Sequence, residues 1–261
     1  MDSTRSSASV TLSVWNGLFL REASVRVSGA RAAWLWLLLE PIAHLTILMV
    51  IFSTVRKQLM PGIDFALFLA IGILGFDLFR HSAMRSMAAI SANLALFAYR
   101  QVKAVDVVLV RAFLEGVIQL FVGLVMLSGM ALFGFDVLPG DPLTVLCVLA
   151  LFWILGTGVG LMLSVGSTLI PELGRVASLC FMPLYFLSGV LFSPAMLPPE
   201  FREWLLLNPL MQGLELLRSA FAPGYPAVTG LHLDYLMAFA ALALFFGLAL
   251  HVRFRARLVM Q

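Results

Sequence analysis

Charge is scarce in this chain: Asp, Glu, Lys and Arg make up 12% of its 261 residues, about half of what an ordinary globular domain carries. Lysine is scarcer still. Lys57 and Lys103 are the two present, and neither follows a G-x-x-x-x-G run, so no P-loop for ATP exists here. The histidines, His44, His81, His232 and His251, are scattered without H-E-x-x-H or similar metal spacing, and no G-x-S-x-G occurs. Intramembrane hydrolase chemistry is therefore poorly supported. Cysteine is limited to Cys147 and Cys180, both in apolar runs where a thiol behaves as a small hydrophobe and says nothing of redox compartment. No repeat relates residues 1–130 to residues 131–261, as a repeat-built secondary transporter would show.

Apolar side chains are abundant instead, 61% of the residues, with a mean hydropathy of +1.00. Several runs approach or exceed the roughly 20 residues a helix needs to cross a bilayer, and they do not alternate in polarity as barrel strands do. The expected fold is an all-α integral membrane protein with six transmembrane helices, near 34–55, 63–83, 107–135, 143–169, 176–192 and 233–251. Residues 1–33 form a polar N-terminal region, residues 34–252 the membrane domain and residues 253–261 a basic tail. No long apolar run precedes Trp34, so no cleavable signal peptide is expected and the first span serves as its own insertion signal.

The polar interruptions carry the detail. Leu12, Trp15, Phe19 and Ala23 recur at helical spacing among Arg21, Glu22 and Arg26, the pattern of an amphipathic helix on a membrane surface or against the protein's own helices. Pro41 is expected to kink the first span. Its neighbour Glu40 is either a functional intramembrane acid or a headgroup-level cap. Asp77 and Arg80 at i,i+3, near the end of the second span, are expected to pair, as are Arg111 and Glu115 at i,i+4. Gly156, Gly160 and Ser164, four apart, form a stripe that lets helices approach closely. Pro139-Gly-Asp-Pro142 signals a turn, and residues 171–175 read as a link.

Residues 193–230 read as two short helices broken at Asn208-Pro209, with Pro198 and Pro199 starting the first. Trp204 lies on the first. Leu210, Leu214, Leu217 and Phe221 make an apolar stripe on the second, where Glu215 and Arg218 can pair. Neither helix is long enough to span, so the segment is expected to be a half-inserted hairpin on the outer side. The loop 84–106 holds Leu94, Leu96, Phe97 and Tyr99 next to Arg100 and Lys103. That composition fits an apolar-aromatic tip for a soluble partner, or an interfacial helix at the headgroups. An even number of spans leaves 13 of the 17 Lys and Arg on the side of both termini and this loop, which the positive-inside rule assigns to the cytoplasm.

Leu20-Arg-Glu22, Leu39-Glu-Pro41-Ile-Ala-His-Leu45, Ser91-Ala-Asn-Leu-Ala-Leu-Phe-Ala-Tyr-Arg100 with Val102-Lys103 and Asp106, Arg111-Ala-Phe-Leu-Glu115, and Asn208-Pro209 together resemble the permease subunit of bacterial capsule polysaccharide ABC exporters, in the type 2 ABC exporter class. The resemblance covers essentially the whole chain. It implies a homodimer in the bacterial inner membrane with two copies of a separate ATPase subunit, which would bind ATP and Mg; this chain would bind no cofactor and no nucleic acid. It also implies that Asn93, Leu96, Phe97, Tyr99, Arg100 and Lys103 lie on a coupling helix docked into the ATPase. The hairpin with Trp204, Asn208, Pro209, Glu215 and Arg218 would lie at the periplasmic mouth, near adaptor and outer-membrane export proteins. The cargo would be a lipid-linked, commonly acidic polysaccharide, and Trp34, Trp36, Phe181, Tyr185 and Phe186 are candidates to guide its C–H faces, or ordinary interfacial aromatics. Gln101 and Ala104 stand where the family often has proline, which bears on the shape of the loop. O-antigen or teichoic-acid export is the alternative within the class. A membrane enzyme acting on lipid-linked sugars would need a dense cluster of acids and histidines that the sequence lacks.

Overall fold

The computed structural model describes residues 7–28, 33–55, 61–99, 101–226 and 228–259, and all regular structure among them is helical. In chain order the helices are α1 (Ser7–Ser28), α2 (Ala33–Val55), α3 (Phe65–Met87), α4 (Ala104–Leu132), α5 (Pro142–Leu169), α6 (Pro171–Leu187), α7 (Pro199–Leu206), α8 (Pro209–Phe221) and α9 (Leu233–Val259). Short 3-10 stretches, Ser91–Ala98 and Pro194–Met196, precede α4 and α7. Among the described residues α2, α3, α4, α5 and α9 are long and apolar enough to cross a membrane. The run expected to be the fifth of six spans is α6, which has 17 residues.

The helix ends follow local chemistry. Pro171 occupies the first turn of α6, where its missing N–H costs nothing, so the expected 171–175 link is helical and Ile170 alone separates α5 from α6. At the other end α6 stops at Leu187, because Gly189 turns the chain with φ +71. After the expected turn, Asp141 caps α5, accepting from the Thr144 N–H at 3.2 Å and the Thr144 hydroxyl at 2.6 Å, with Pro142 in the first turn. Those hydrogen bonds hold the exposed Asp141 carboxyl below its ordinary pKa. α2 runs on through Pro41, and α9 continues past the expected end of its span through Arg253, Arg255 and Arg257.

α5 is the centre of the bundle, packed most extensively against α9 on one side and α3 on the other. Missing side chains make this possible. A Cβ on Gly156 would lie 2.5 Å from the Phe79 carbonyl oxygen of α3, and one on Gly160 would lie 2.5 Å from the Ser86 Cβ. The third member of the stripe, Ser164, faces α9 instead, where its hydroxyl meets His251 Nε2 at 2.9 Å. α8 fits between α3, α5 and α9, burying Leu210, Leu214 and Leu217 of the expected stripe. α1 packs on α4 and α2, so it rests on the protein's own helices.

Candidate functional site

The loop between α3 and α4 is organised by Asn93. The stretch Ser91–Ala98, expected as a coupling helix, is 3-10 helix kinked at this residue (φ −127, ψ 20). The buried Asn93 amide donates to the Ala89 carbonyl and to Glu22 Oε1, both at 2.9 Å, and its oxygen accepts from Arg21. Glu22 in turn receives Arg111 of α4 through Nε at 3.0 Å and Nη2 at 2.8 Å. A second tie runs from Trp15 Nε1 to Asp106 at 3.0 Å, while Asp106 accepts the Lys103 N–H at the start of α4. The loop is thus stapled to α1 and α4 by side chains that satisfy one another.

That stapling decides which residues can meet a partner. Phe97 turns inward with Asn93 and is 8% exposed, in a cluster with Leu18, Val107 and Leu258, so it anchors the loop and is absent from the tip. Leu96 is half-buried, whereas Leu94, Tyr99 (67% exposed) and Lys103 face outward. Arg100 lies outside the described residues. The expected Arg111–Glu115 pair does not form: Arg111 goes to Glu22, and Glu115 accepts from Arg26 at 3.1 Å with Arg85 at 3.9 Å. α1 lies across α4 and presents opposite charges that outcompete the neighbour one turn away. Trp15, Arg21, Glu22 and Arg26 are therefore site residues that helix patterning alone read as parts of an amphipathic helix, on a membrane surface or against the protein's own helices. Their signal was the spacing of Trp15, Glu22 and Arg26, seven and then four residues apart, which puts all three on one side of α1.

On the other side of α3, α6 brings its aromatics together. Tyr185 stacks on His44 of α2 at 5.6 Å with its hydroxyl 3.2 Å from His44 Nε2, and meets Phe76 edge-on at 5.2 Å and Phe186 at 5.6 Å. With Arg80 these residues line a groove of about 370 Å³. Phe186 is exposed there, whereas Phe181 is buried against Phe79. Trp36 does not join them. It lies with Glu40 on a separate cavity of about 270 Å³ that also touches Asp77, His81 and Arg85. The Trp34 side chain lies outside the described residues. Glu40 is exposed on α2 and faces this polar cavity. Asp77 and Arg80 pair at 3.7 Å as expected, but because α3 continues to Met87 the pair sits near the middle of the helix instead of its end.

The α7–α8 hairpin is held by a buried ion pair. Glu215 and Arg218 meet at 2.8 Å with both side chains fully buried, as their spacing implied. The Tyr225 hydroxyl lies 3.0 Å from both Glu215 oxygens and 2.7 Å from Ser193 Oγ. Arg218 also donates to the carbonyls of Gly189 and Val190 at 2.9 and 3.0 Å and lies 3.5 Å above the Phe68 ring centre. The end of α6, the hairpin and α3 therefore share one guanidinium. Burial first, then the Glu215 carboxylate, push the Tyr225 phenol above its ordinary pKa. Asn208 caps α8 through the Leu210 N–H at 3.0 Å and reaches Ser188 at 3.1 Å, with Pro209 in the first helical turn. Trp204 is 76% exposed on α7.

Residues 14–222 match the family model described as ABC-2 type transporter. The polysialic acid transport protein KpsM of Escherichia coli is 39% identical over 236 residues, which is 90% of this chain and 90% of that protein. The capsule polysaccharide export inner-membrane protein CtrC of Neisseria meningitidis serogroup B is 24% identical over 241 residues, 92% of this chain and 91% of CtrC. The namesake BexB of Haemophilus influenzae is 23% identical over 208 residues, 80% of this chain and 78% of BexB. A family match over most of the length, joined to an architecture of membrane-crossing helices, places this chain in the ABC-2 type transporter family, as a transport subunit and not an enzyme.

Proposed function

We propose that this chain is the membrane subunit of an ATP-driven exporter that moves lipid-linked capsular polysaccharide from the cytoplasm across the bacterial inner membrane. The observation that carries this reading is the nearly end-to-end similarity to KpsM, CtrC and BexB, whose names specify polysialic acid transport and capsule polysaccharide export. The energy comes from a separate ATPase subunit that binds ATP and Mg. Leu94, Tyr99 and Lys103 form the contact, and Arg100 joins them. A push on that tip reaches Asn93, which is bonded to Glu22 and through it to Arg111, so the force enters α1 and α4 together.

In this reading α6 and the turn after it complete a sixth crossing, both termini are cytoplasmic, and the α7–α8 hairpin faces the periplasmic adaptor and outer-membrane export proteins. Two copies of the chain assemble around the polymer path. Exposed apolar side chains on α2 and α6, among them Ile47, Val50, Leu179 and Met182, supply the surface for that pairing, and Tyr185, Phe186 and His44 supply the wall that the sugars pass. The test replaces Leu94 or Tyr99 by cysteine and crosslinks in native membranes to a co-expressed ATPase subunit carrying cysteines, beside capsule staining of a deletion strain. Crosslinking together with polymer retained inside the deletion cells is expected. Normal capsule in the deletion strain would refute the cargo, and absence of crosslinks at both positions would refute the contact.

A further inference from the structure

The apolar stretch of α9 gives way to arginines after His251, and the residues from there to Val259 carry the helix about 13 Å further at about 1.5 Å per residue. In the export reading this end is cytoplasmic, and it is built into the protein. Leu258 is fully buried in one apolar cluster with Leu18, Ala89, Ile90 and Phe97, and Phe254 packs against that cluster. The same cluster anchors the loop between α3 and α4. The end of α9 and the coupling loop are therefore two parts of one surface.

This end is also fixed to the centre of the bundle. His251 Nε2 meets the Ser164 hydroxyl of α5 at 2.9 Å, and just above it the two helices touch backbone to backbone. A Cβ on Gly158 would lie 2.5 Å from the Ala243 carbonyl carbon, and one on Gly247 would lie 2.8 Å from the Gly158 carbonyl oxygen. Whatever grips the end of α9 moves α5 with it.

The two sides of this last stretch differ. Phe254 and Leu258, four apart, take the inward side. The opposite side holds Val252 and Ala256, also four apart, beside Arg253 and Arg257, and all four are exposed. Neither arginine is in an ion pair among the described residues. Basic residues in a last turn suit the helix dipole and the headgroup level wherever they stand. Here they also edge a strip of small apolar side chains, on the end of the bundle that exposes Leu94, Tyr99 and Lys103 of the loop. A basic and apolar surface of this kind complements an acidic protein surface.

We propose that the end of α9 is a second docking element for the ATPase subunit, in which Arg253 and Arg257 meet acidic side chains of that subunit beside the coupling loop. The proposal rests on the reading that an ATPase docks at Leu94 and Tyr99, and extends it. The loop passes force to α1 and α4, whereas the end of α9 passes it to α5. A motor that holds both can move one pair of helices against the other.

The test places the photocrosslinker p-benzoylphenylalanine at Ala256 or at Tyr99 of the full-length chain, co-expressed with the ATPase subunit in native membranes. Beside it, the affinity of the purified ATPase subunit is measured for the chain in phosphatidylcholine nanodiscs, where no anionic headgroup competes. Crosslinks to the ATPase from both positions are expected. R253Q/R257Q should bind about three- to tenfold more weakly at low salt, and the difference should shrink as salt screens the exposed charges. R253K/R257K keeps the charge and should bind as the wild-type chain does. Crosslinking from Tyr99 but not from Ala256, or unchanged affinity in R253Q/R257Q, overturns the second contact and leaves the loop contact standing. Crosslinks from Ala256 to lipid alone would assign this face to the headgroups and overturn it as well. No crosslink from either position, with no binding to the discs, would sink the loop contact and the α9 contact together.

Discussion

Replacing Arg218 by Met should release the hairpin from the end of α6. Arg218 is fully buried and gives hydrogen bonds to Glu215 at 2.8 Å, Gly189 at 2.9 Å and Val190 at 3.0 Å. Methionine fills much of the volume but leaves the buried Glu215 carboxylate with Tyr225 and Ser193 alone, and orphans two carbonyls. Breaking a buried pair from one side costs about 3–5 kcal/mol. At 1.4 kcal/mol per tenfold, the lower figure raises the population of the opened hairpin by roughly 100-fold. The assay is maleimide labelling of a cysteine at Val190, which is fully buried in the closed arrangement, in a chain whose native Cys147 and Cys180 have been replaced by serine. The closed chain should be protected and Arg218→Met labelled rapidly. In E215Q/R218M the uncompensated charge is gone, and most of the protection should return. Labelling that is unchanged in Arg218→Met, or equally fast in the double variant, would refute the account. Alkaline titration gives a second reading. Burial raises the Tyr225 pKa, so the opened hairpin releases the phenol proton first, and protection should be full below the ordinary tyrosine value near 10 and decline progressively as the pH rises from there through the higher value of the folded state.

Asn93→Ala should leave ATPase association intact while lowering export, because the tip residues stay and the tie to Glu22 and Arg111 goes; loss of association in a pull-down would move Asn93 into the contact itself. Tyr185→Ala should slow export without changing membrane abundance, and unchanged capsule staining would return Tyr185 to a packing role. Gly156→Leu should lower membrane accumulation, since even a Cβ would lie 2.5 Å from the Phe79 carbonyl and overpacking costs about 1–3 kcal/mol or more; normal accumulation and melting would show that α3 and α5 can separate there.

How much could be read from the chain differed between its elements. The turn signal at Pro139–Pro142 and the Glu215–Arg218 spacing are local, and the structure realised both, with Asp141 capping α5 at the turn. The Arg111–Glu115 spacing was equally local and misled, because α1, nearly ninety residues earlier, brought Glu22 and Arg26 to the same face. Phe97 has the composition of a docking residue, yet the kink at Asn93 turns it into the core. The end of α6 depended on where Gly189 adopts positive φ, and hydropathy runs smoothly past that point.

The sequence by itself determined the helical membrane class, the segmentation into apolar runs and the resemblance that named the family, because hydrophobic length and backbone satisfaction in lipid depend on residues close together in the chain. Which charges pair, which aromatics share a groove and which side chains remain exposed at the coupling loop were decided by tertiary structure. Those outcomes depend on distances between residues far apart in sequence, and periodicity within one helix carries no record of what another helix will lay across it.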